Sequence, residues 1–190
     1  MTIREPVEVV EDSMSDRAII QQVLAGDVEA FAQIVDRHYA RCARIAVRIV
    51  GNREDAEEAI QDAFLRAFKA LDDYEDRERF SAWLTRILVN QCRTVLARSK
   101  RRDAVFLDLD PRQLDFAVDA EESEGLWPEL DRMLDRLPAE QREAIVLKYA
   151  DDLTYQEMSR ITGAGESALK MRVQRAFARL RALLQEVPNV

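Results

Sequence analysis

Residues 154–184 read TYQEMSRITGAGESALKMRVQRAFARLRALL and carry three helix signals in close succession. Thr154, followed three residues later by Glu157, is the capping-box pattern that begins helices. The sequence GAG at 163–165 predicts a tight turn, because glycine adopts backbone conformations that other residues avoid. A longer helix follows from residue 166 to about 184, with apolar residues at helical spacing: Leu169, Val173, Ala176, Leu180 and Leu183. A short capped helix, a turn and a longer helix together predict a helix-turn-helix.

The other face of this last helix is basic and suited to DNA. No acid occurs between residues 167 and 184. The first turns of such a helix enter the major groove, where lysine can read guanine and glutamine can read adenine, while arginines hold phosphates. The predicted DNA-reading set is Glu166, Ser167, Lys170, Met171, Arg172, Gln174, Arg175 and Arg179. Helix-turn-helix geometry also occurs in proteins that bind no DNA, so the pattern alone leaves that alternative open.

Four further helices are predicted upstream. Ser15 and Asp16 can cap a short helix that ends at Gly26, and Asp27 can cap a long one that Gly51 ends. Asn52 opens the next, over 53–71, and a fourth runs from about 79 to 98. Short turns join these helices, so they can share one core. The chain is therefore predicted to be all-α.

The fourth predicted helix has a second acid-free basic face. Residues 84–102 contain six basic side chains and no acid, and an aromatic pair precedes them. Aromatic rings beside basic and amide groups suit unstacked bases, which stack on rings and bond to amides. The predicted set is Phe80, Trp83, Arg86, Asn90, Arg93, Arg98, Lys100, Arg101 and Arg102. For the two aromatic residues, a place in the core is the alternative.

The helix predicted over 53–71 has a polar back that includes an apolar residue. The residues of this face lie at helical spacing or next to a residue that does: Asp55, Glu58, Gln61, Asp62 and Leu65. Three acids around a leucine indicate a protein-docking surface, and a solvated acidic face is the alternative.

The distribution of charge divides the rest of the chain into segments. The net charge is −8, and residues 103–125 carry eight acids against one arginine, without periodicity. We expect a flexible acidic linker there, a disordered acidic tail over 1–14, and two small helical domains over 15–102 and 126–190.

Signals of catalysis in the sequence are weak. His38 and Cys42, one turn apart, fall short of a metal site. We expect no catalytic residue, metal or cofactor, and a cytoplasmic location.

In this order the pieces resemble the extracytoplasmic-function sigma factors, members of the sigma-70 family of bacterial RNA polymerase. The resemblance rests on DAEEAIQDAF at 55–64, FSAWLTRILVN at 80–90, Leu137-Pro138 with Arg142 and Leu147, LTYQEM at 153–158 and LKMRVQRA at 169–176. It implies transcription initiation without catalysis. It further implies that the 53–71 helix docks on the β′ clamp of core RNA polymerase. The 80–93 segment would capture flipped minus-10 bases, and the last helix would read the minus-35 element beside the β flap. Such factors often answer to an anti-sigma factor.

The resemblance has departures that bear on promoter preference. Where the family often has Gly-Thr-Val, this chain has Ser167-Ala168-Leu169, and Met171 and Phe177 replace residues common in the family. Minus-35 preference therefore cannot be copied across. A stand-alone helix-turn-helix regulator and an all-helical protein-binding adaptor are the two rival interpretations.

Overall fold

The computed structural model describes residues 15–75, 79–106 and 128–186, and within them the fold is entirely helical. The expected all-α class is confirmed. The predicted tail over 1–14 and most of the predicted acidic linker lie outside the described residues. No helix in the described ranges is long and apolar enough to cross a membrane.

The described residues contain eight α-helices, which form two consecutive groups. The first group comprises α1 (Asp16–Leu24), α2 (Phe31–Val50), α3 (Arg53–Lys69) and α4 (Phe80–Phe106), with short 3-10 turns at Val28–Ala30 and Leu71–Asp73. The second comprises α5 (Pro128–Asp135), α6 (Ala139–Tyr149), α7 (Tyr155–Thr162) and α8 (Glu166–Glu186).

The helix ends follow the predicted capping chemistry. Ser15, Asp27 and Asn52 each accept a hydrogen bond from a backbone N–H three residues on. Thr154 and Glu157 form the complete capping box at the start of α7. Gly51 and Gly163 end α2 and α7 with positive φ angles of 95° and 73°, a conformation that glycine adopts without steric cost.

Two boundaries differ from expectation by more than two residues. The helix predicted over 28–50 begins as a 3-10 turn and becomes α-helical at Phe31. The α4 helix continues to Phe106, eight residues beyond the predicted end at Arg98, and so extends into the stretch from Asp103 where we expected the acidic linker. Acidic side chains do not end a helix, whereas proline does, and the first proline after α4 begins is Pro111.

One apolar core cluster includes residues of both groups. Ile45 of α2, Ile60 of α3 and Leu88 of α4 are almost fully buried in the first group. Leu147 of α6, Met158 of α7 and Leu169 of α8 are fully buried in the second. The groups also touch each other, because α2 packs against α6 and α4 packs against α7. This arrangement, here called the closed arrangement, places predicted functional faces of one group against the other group.

Candidate nucleic-acid and polymerase interfaces

The α8 helix presents its predicted DNA-reading side chains outward. Its apolar stripe is buried, with Leu169 and Ala176 completely so. The exposed members of the predicted minus-35 set are Glu166, Ser167, Lys170, Met171, Gln174, Arg175 and Arg179. The helix therefore offers the geometry of a groove-reading element, with its core side and its free side clearly separated.

Two of the predicted α8 side chains have partners in the same group. Arg172 is half-buried and pairs with Glu140 of α6 at 2.8 Å. The Lys170 ammonium lies 5.6 Å from the centre of the Tyr155 ring, within reach of a cation–π contact. Arg172 thus ties α8 to α6 in this structure, whereas Lys170 remains exposed beside its ring.

The predicted minus-10 aromatic residues belong to the core. Phe80 is 4% and Trp83 is 8% exposed. Their ring centres are 5.4 Å apart, and Tyr74 lies against both of them, at 5.4 Å and 5.2 Å. His38 closes the cluster at 5.5 Å from Phe80. The burial favours the core alternative, so these rings support the surface of α4 and do not present a free stacking face.

The polar members of the predicted minus-10 set lie along α4 and differ in their exposure and in their partners. Asn90 is exposed, as are Lys100, Arg101 and Arg102 at the far end, and Arg86 is half-buried. Arg98 forms an ion pair with Glu58 of α3. Asn90 therefore presents an exposed amide on α4, with the half-buried Arg86 one turn before it.

Arg93 is engaged by the second group. Its Nε and Nη2 donate to the two carboxylate oxygens of Glu143 at 2.8 and 2.7 Å, and its Nη1 donates to the Thr162 carbonyl at 3.3 Å. The hydrogen bonds with Glu143 raise the pKa of Arg93. In the closed arrangement a predicted DNA contact is therefore already occupied by a carboxylate.

The predicted polymerase-docking side chains share one face of α3. Gln61 and Leu65 are exposed, Leu65 by 57%, while Glu58 and Asp62 are half-buried. Asp55 accepts a hydrogen bond from the Asn52 side chain at 3.0 Å, so it also serves the helix start. An exposed leucine bordered by carboxylates is the arrangement that the sequence predicted.

Comparisons with known proteins match both groups of helices. The model for Sigma-70 region 2 matches residues 34–102, and the model for Sigma-70 region 4 matches residues 128–180. The extracytoplasmic-function (ECF) sigma factor SigM of Mycobacterium tuberculosis is 34% identical over 170 residues, which cover 90% of this chain and 85% of SigM. This chain belongs to the ECF sigma factors. SigW of Bacillus subtilis is 30% identical, over 88% of this chain and 96% of SigW.

Solved structures agree with this membership. CnrH in complex with the cytosolic domain of CnrY is 28% identical, with a TM-score of 0.66 over 91% of this chain and 99% of CnrH. The sigma factor RpoE of Bartonella quintana, in complex with the anti-sigma factor NepR, is 26% identical. Its TM-score is 0.67, over 83% of this chain and 98% of RpoE. This sigma factor thus directs transcription initiation by RNA polymerase, and the two rival interpretations fail because each explains only part of the matched chain.

This sigma factor has a third acid-free basic segment, which was not among the sites predicted from the sequence. Residues 37–53 contain no acid and carry five arginines: Arg37, Arg41, Arg44, Arg48 and Arg53. Arg41 binds Asp151 through two bonds of 2.5 Å, and Arg48 pairs with Asp131 at 3.2 Å. The count of charges in this segment could have revealed its basic character. Its acidic partners, 83 to 110 residues away, could not be read from local sequence.

His38, Cys42 and Cys92 are titratable side chains buried in the first group of helices. His38 pairs with Asp16 at 2.9 Å and packs on Phe80. Burial raises the pKa of both Cys42 and Cys92 to about 12, which keeps the thiols protonated and unreactive. Within the described ranges, no three histidine, cysteine or acidic side chains converge on a possible metal position.

Proposed function

We propose that this sigma factor docks on core RNA polymerase through α3, captures minus-10 bases along α4 and reads the minus-35 element with α8. The observation that carries the proposal is the exposed line of Ser167, Lys170 and Gln174 at the start of α8, above a buried stripe. Run-off transcription with core polymerase on a randomised promoter library tests it. Specific transcripts that appear only with the factor support the proposal, and their absence contradicts it.

The proposal assigns one role to each domain. Residues 15–102 would form the clamp-docking and minus-10 domain, and residues 126–190 the minus-35 domain beside the β flap. Residues 103–125 would join them, and the chain would act in the cytoplasm without chemistry of its own. Since CnrH and RpoE were solved with CnrY and with the anti-sigma factor NepR, we include an anti-sigma factor among the proposed partners.

Charge reversal on α3 should weaken polymerase binding. In the variant Glu58→Lys with Asp62→Lys, we expect affinity for core polymerase to fall at least about tenfold, since like charges facing each other across an interface cost several kcal/mol. Helicity should be unchanged, because neither side chain belongs to the core. Competition binding against labelled factor gives the affinity, and circular dichroism gives the helicity.

The matched control for this variant is Glu57→Lys, which lies on the same helix and is exposed on a different face. It should bind polymerase like the unaltered chain. A well-folded double variant with unaltered affinity would remove the docking role from this face of α3.

Asn90→Ala should impair promoter opening more than polymerase binding. A side-chain amide can hold an extruded base through hydrogen bonds and alanine cannot, so we expect a loss of roughly 1–3 kcal/mol, by analogy with base-edge contacts. Permanganate reactivity of promoter thymines measures opening. Thr94→Ala is the control, because its hydroxyl already bonds to the Asn90 carbonyl at 2.9 Å. Normal reactivity in Asn90→Ala would contradict the capture role.

A further inference from the structure

Met171 is a large apolar side chain in the middle of the basic face of α8. It is 47% exposed and lies in the second turn of the helix. Ser167, Gln174 and Arg175 lie one turn away from it, and no acid occurs between residues 167 and 184. A single exposed apolar residue needs no functional explanation in general. The direction of Met171 and the partners of its neighbours distinguish it from an ordinary surface methionine.

The geometry of α8 directs Met171 away from the core. Three buried residues mark the core side of the helix: Leu169, Val173 and Leu180. Successive residues of an α-helix are about 100° apart around the helix axis. Met171 therefore lies roughly 160–180° from each of the three buried residues, whereas Lys170 lies only roughly 60–100° from them. Met171 projects from the centre of the exposed face, and Lys170 projects from its edge.

The two cations next to Met171 in the sequence both have a partner within their own group of helices. Arg172 is half-buried and pairs with Glu140 of α6 at 2.8 Å. The Lys170 ammonium lies 5.6 Å from the centre of the Tyr155 ring of α7, on the edge of the exposed face. The side chain that points straight out from this turn of α8 is therefore the apolar one, and the cations lie on either side of it.

Met171 lies between the side chains proposed to read bases and the arginines expected to hold phosphates. Ser167 and Gln174 are roughly 40–60° to one side of Met171 around the helix axis. Arg175 and Arg179 are roughly 40–80° to the other side. All four are exposed. A helix that reads bases with the first pair and holds the backbone with the second pair must direct Met171 into the major groove, toward the base edges.

The chemistry of the major groove favours one base for an apolar side chain. Thymine presents its C5 methyl group there, whereas the other characteristic groups are hydrogen-bond donors and acceptors. A thioether sulfur is only a weak acceptor, so contact with a different base would cover polar groups without pairing them, which costs free energy. A methionine side chain is unbranched and flexible, so it can adapt its end to a methyl group. Thymine is therefore the base that suits Met171.

We propose that Met171 is a specificity-determining residue that contacts the C5 methyl group of a thymine in the minus-35 element. The proposal rests on the proposed reading of this element by α8, and it names the base that one position of the helix selects. Met171 and Gln174 are three residues apart, or roughly 4.5 Å along the helix axis. Since consecutive base pairs are about 3.4 Å apart, the thymine lies within about two base pairs of the base that Gln174 reads.

Deoxyuridine tests this contact, because it differs from thymidine only by lacking the C5 methyl group. A minus-35 element is first selected from a randomised duplex library by the full-length factor bound to core RNA polymerase. Each thymine of the selected element is then replaced singly by deoxyuridine, and the affinity of the holoenzyme is measured by competition against a labelled duplex. We expect the affinity to fall about three- to fourfold at one position, the effect of no longer burying one apolar carbon group.

Two variants of Met171 assign the effect to this side chain. Met171→Ser removes the apolar end, so its affinity should not change when deoxyuridine replaces that thymine. Met171→Leu keeps an apolar end and should retain most of the loss. The matched control is Leu184→Ser, which removes another exposed apolar side chain from the same helix, 57% exposed and roughly 20 Å further along. This control should respond to deoxyuridine like the unaltered factor.

Any other pattern of affinities overturns the proposal. If the unaltered holoenzyme tolerates deoxyuridine at every thymine of its selected element, Met171 contacts no methyl group there. If Met171→Ser still loses affinity at the same position, another side chain makes the contact. An element selected without any thymine also overturns the proposal, while the reading of minus-35 DNA by α8 stands. If no element can be selected at all, the proposed function fails together with the role of Met171.

Discussion

Leu169→Ala is expected to destabilise the helix-turn-helix by roughly 2–5 kcal/mol, the range for a buried leucine that leaves a cavity behind. Leu169 is fully buried at the start of α8, in the same core as Met158 of α7 and Leu147 of α6. A small domain has only about 5–15 kcal/mol of stability in total, so a large part of it would be lost. Recognition of the minus-35 element should then be lost, because α8 would no longer be held at its angle to α7.

Urea denaturation followed by circular dichroism measures this loss. Leu184→Ala is the control, since Leu184 lies on the same helix but is 57% exposed, and its loss should change stability by less than about 0.5 kcal/mol. Equal midpoints for Leu169→Ala and the unaltered chain would contradict the placement of α8 on this core.

Substitutions on the free side of α8 should divide into two kinds. Lys170→Ala or Gln174→Ala should change which minus-35 sequences are used, at roughly 1–3 kcal/mol for each lost base contact. Arg179→Ala should weaken every promoter about equally and flatten the salt dependence by about one unit, because a phosphate contact carries no sequence information. All three side chains are exposed, so the fold should tolerate each change.

A randomised minus-35 library transcribed by each variant distinguishes the two kinds. Arg172→Ala is a useful comparison with these variants, because Arg172, unlike the other three side chains, is half-buried and pairs with Glu140 of α6. The assigned orientation of α8 is wrong if Arg179→Ala reshapes the preferred sequence while Lys170→Ala leaves it untouched.

Local chemistry allowed most of the helices to be predicted. The caps at Ser15, Asp27, Asn52 and Thr154 act within three residues, so their signals are complete in the sequence. The apolar stripe of α8 is equally local, since helical spacing alone decides which residues share a face. The end of α4 was missed because acidic composition was taken as a boundary, although acids are compatible with helix.

The exposure of the site residues could be predicted from the sequence for some residues and not for others, for a physical reason. Exposure of Asn90 and Lys170 follows from their places on amphipathic helices. The burial of Phe80 and Trp83 depends on Tyr74 and His38, which reach them from other parts of the chain. A sequence pattern shows that an aromatic residue is present near a basic face, but it does not show which of its sides is covered.

The sequence by itself determined the all-α class, the helix-turn-helix, the family and the faces of α3 and α8. Each of these depends on spacing within one helix or on an ordered set of short motifs. Only the tertiary structure decided that Arg93 meets Glu143 and that Arg41 meets Asp151, across 50 and 110 residues of chain. Such pairs depend on how two groups of helices pack, and the separation of charges along the chain carries no information about that packing.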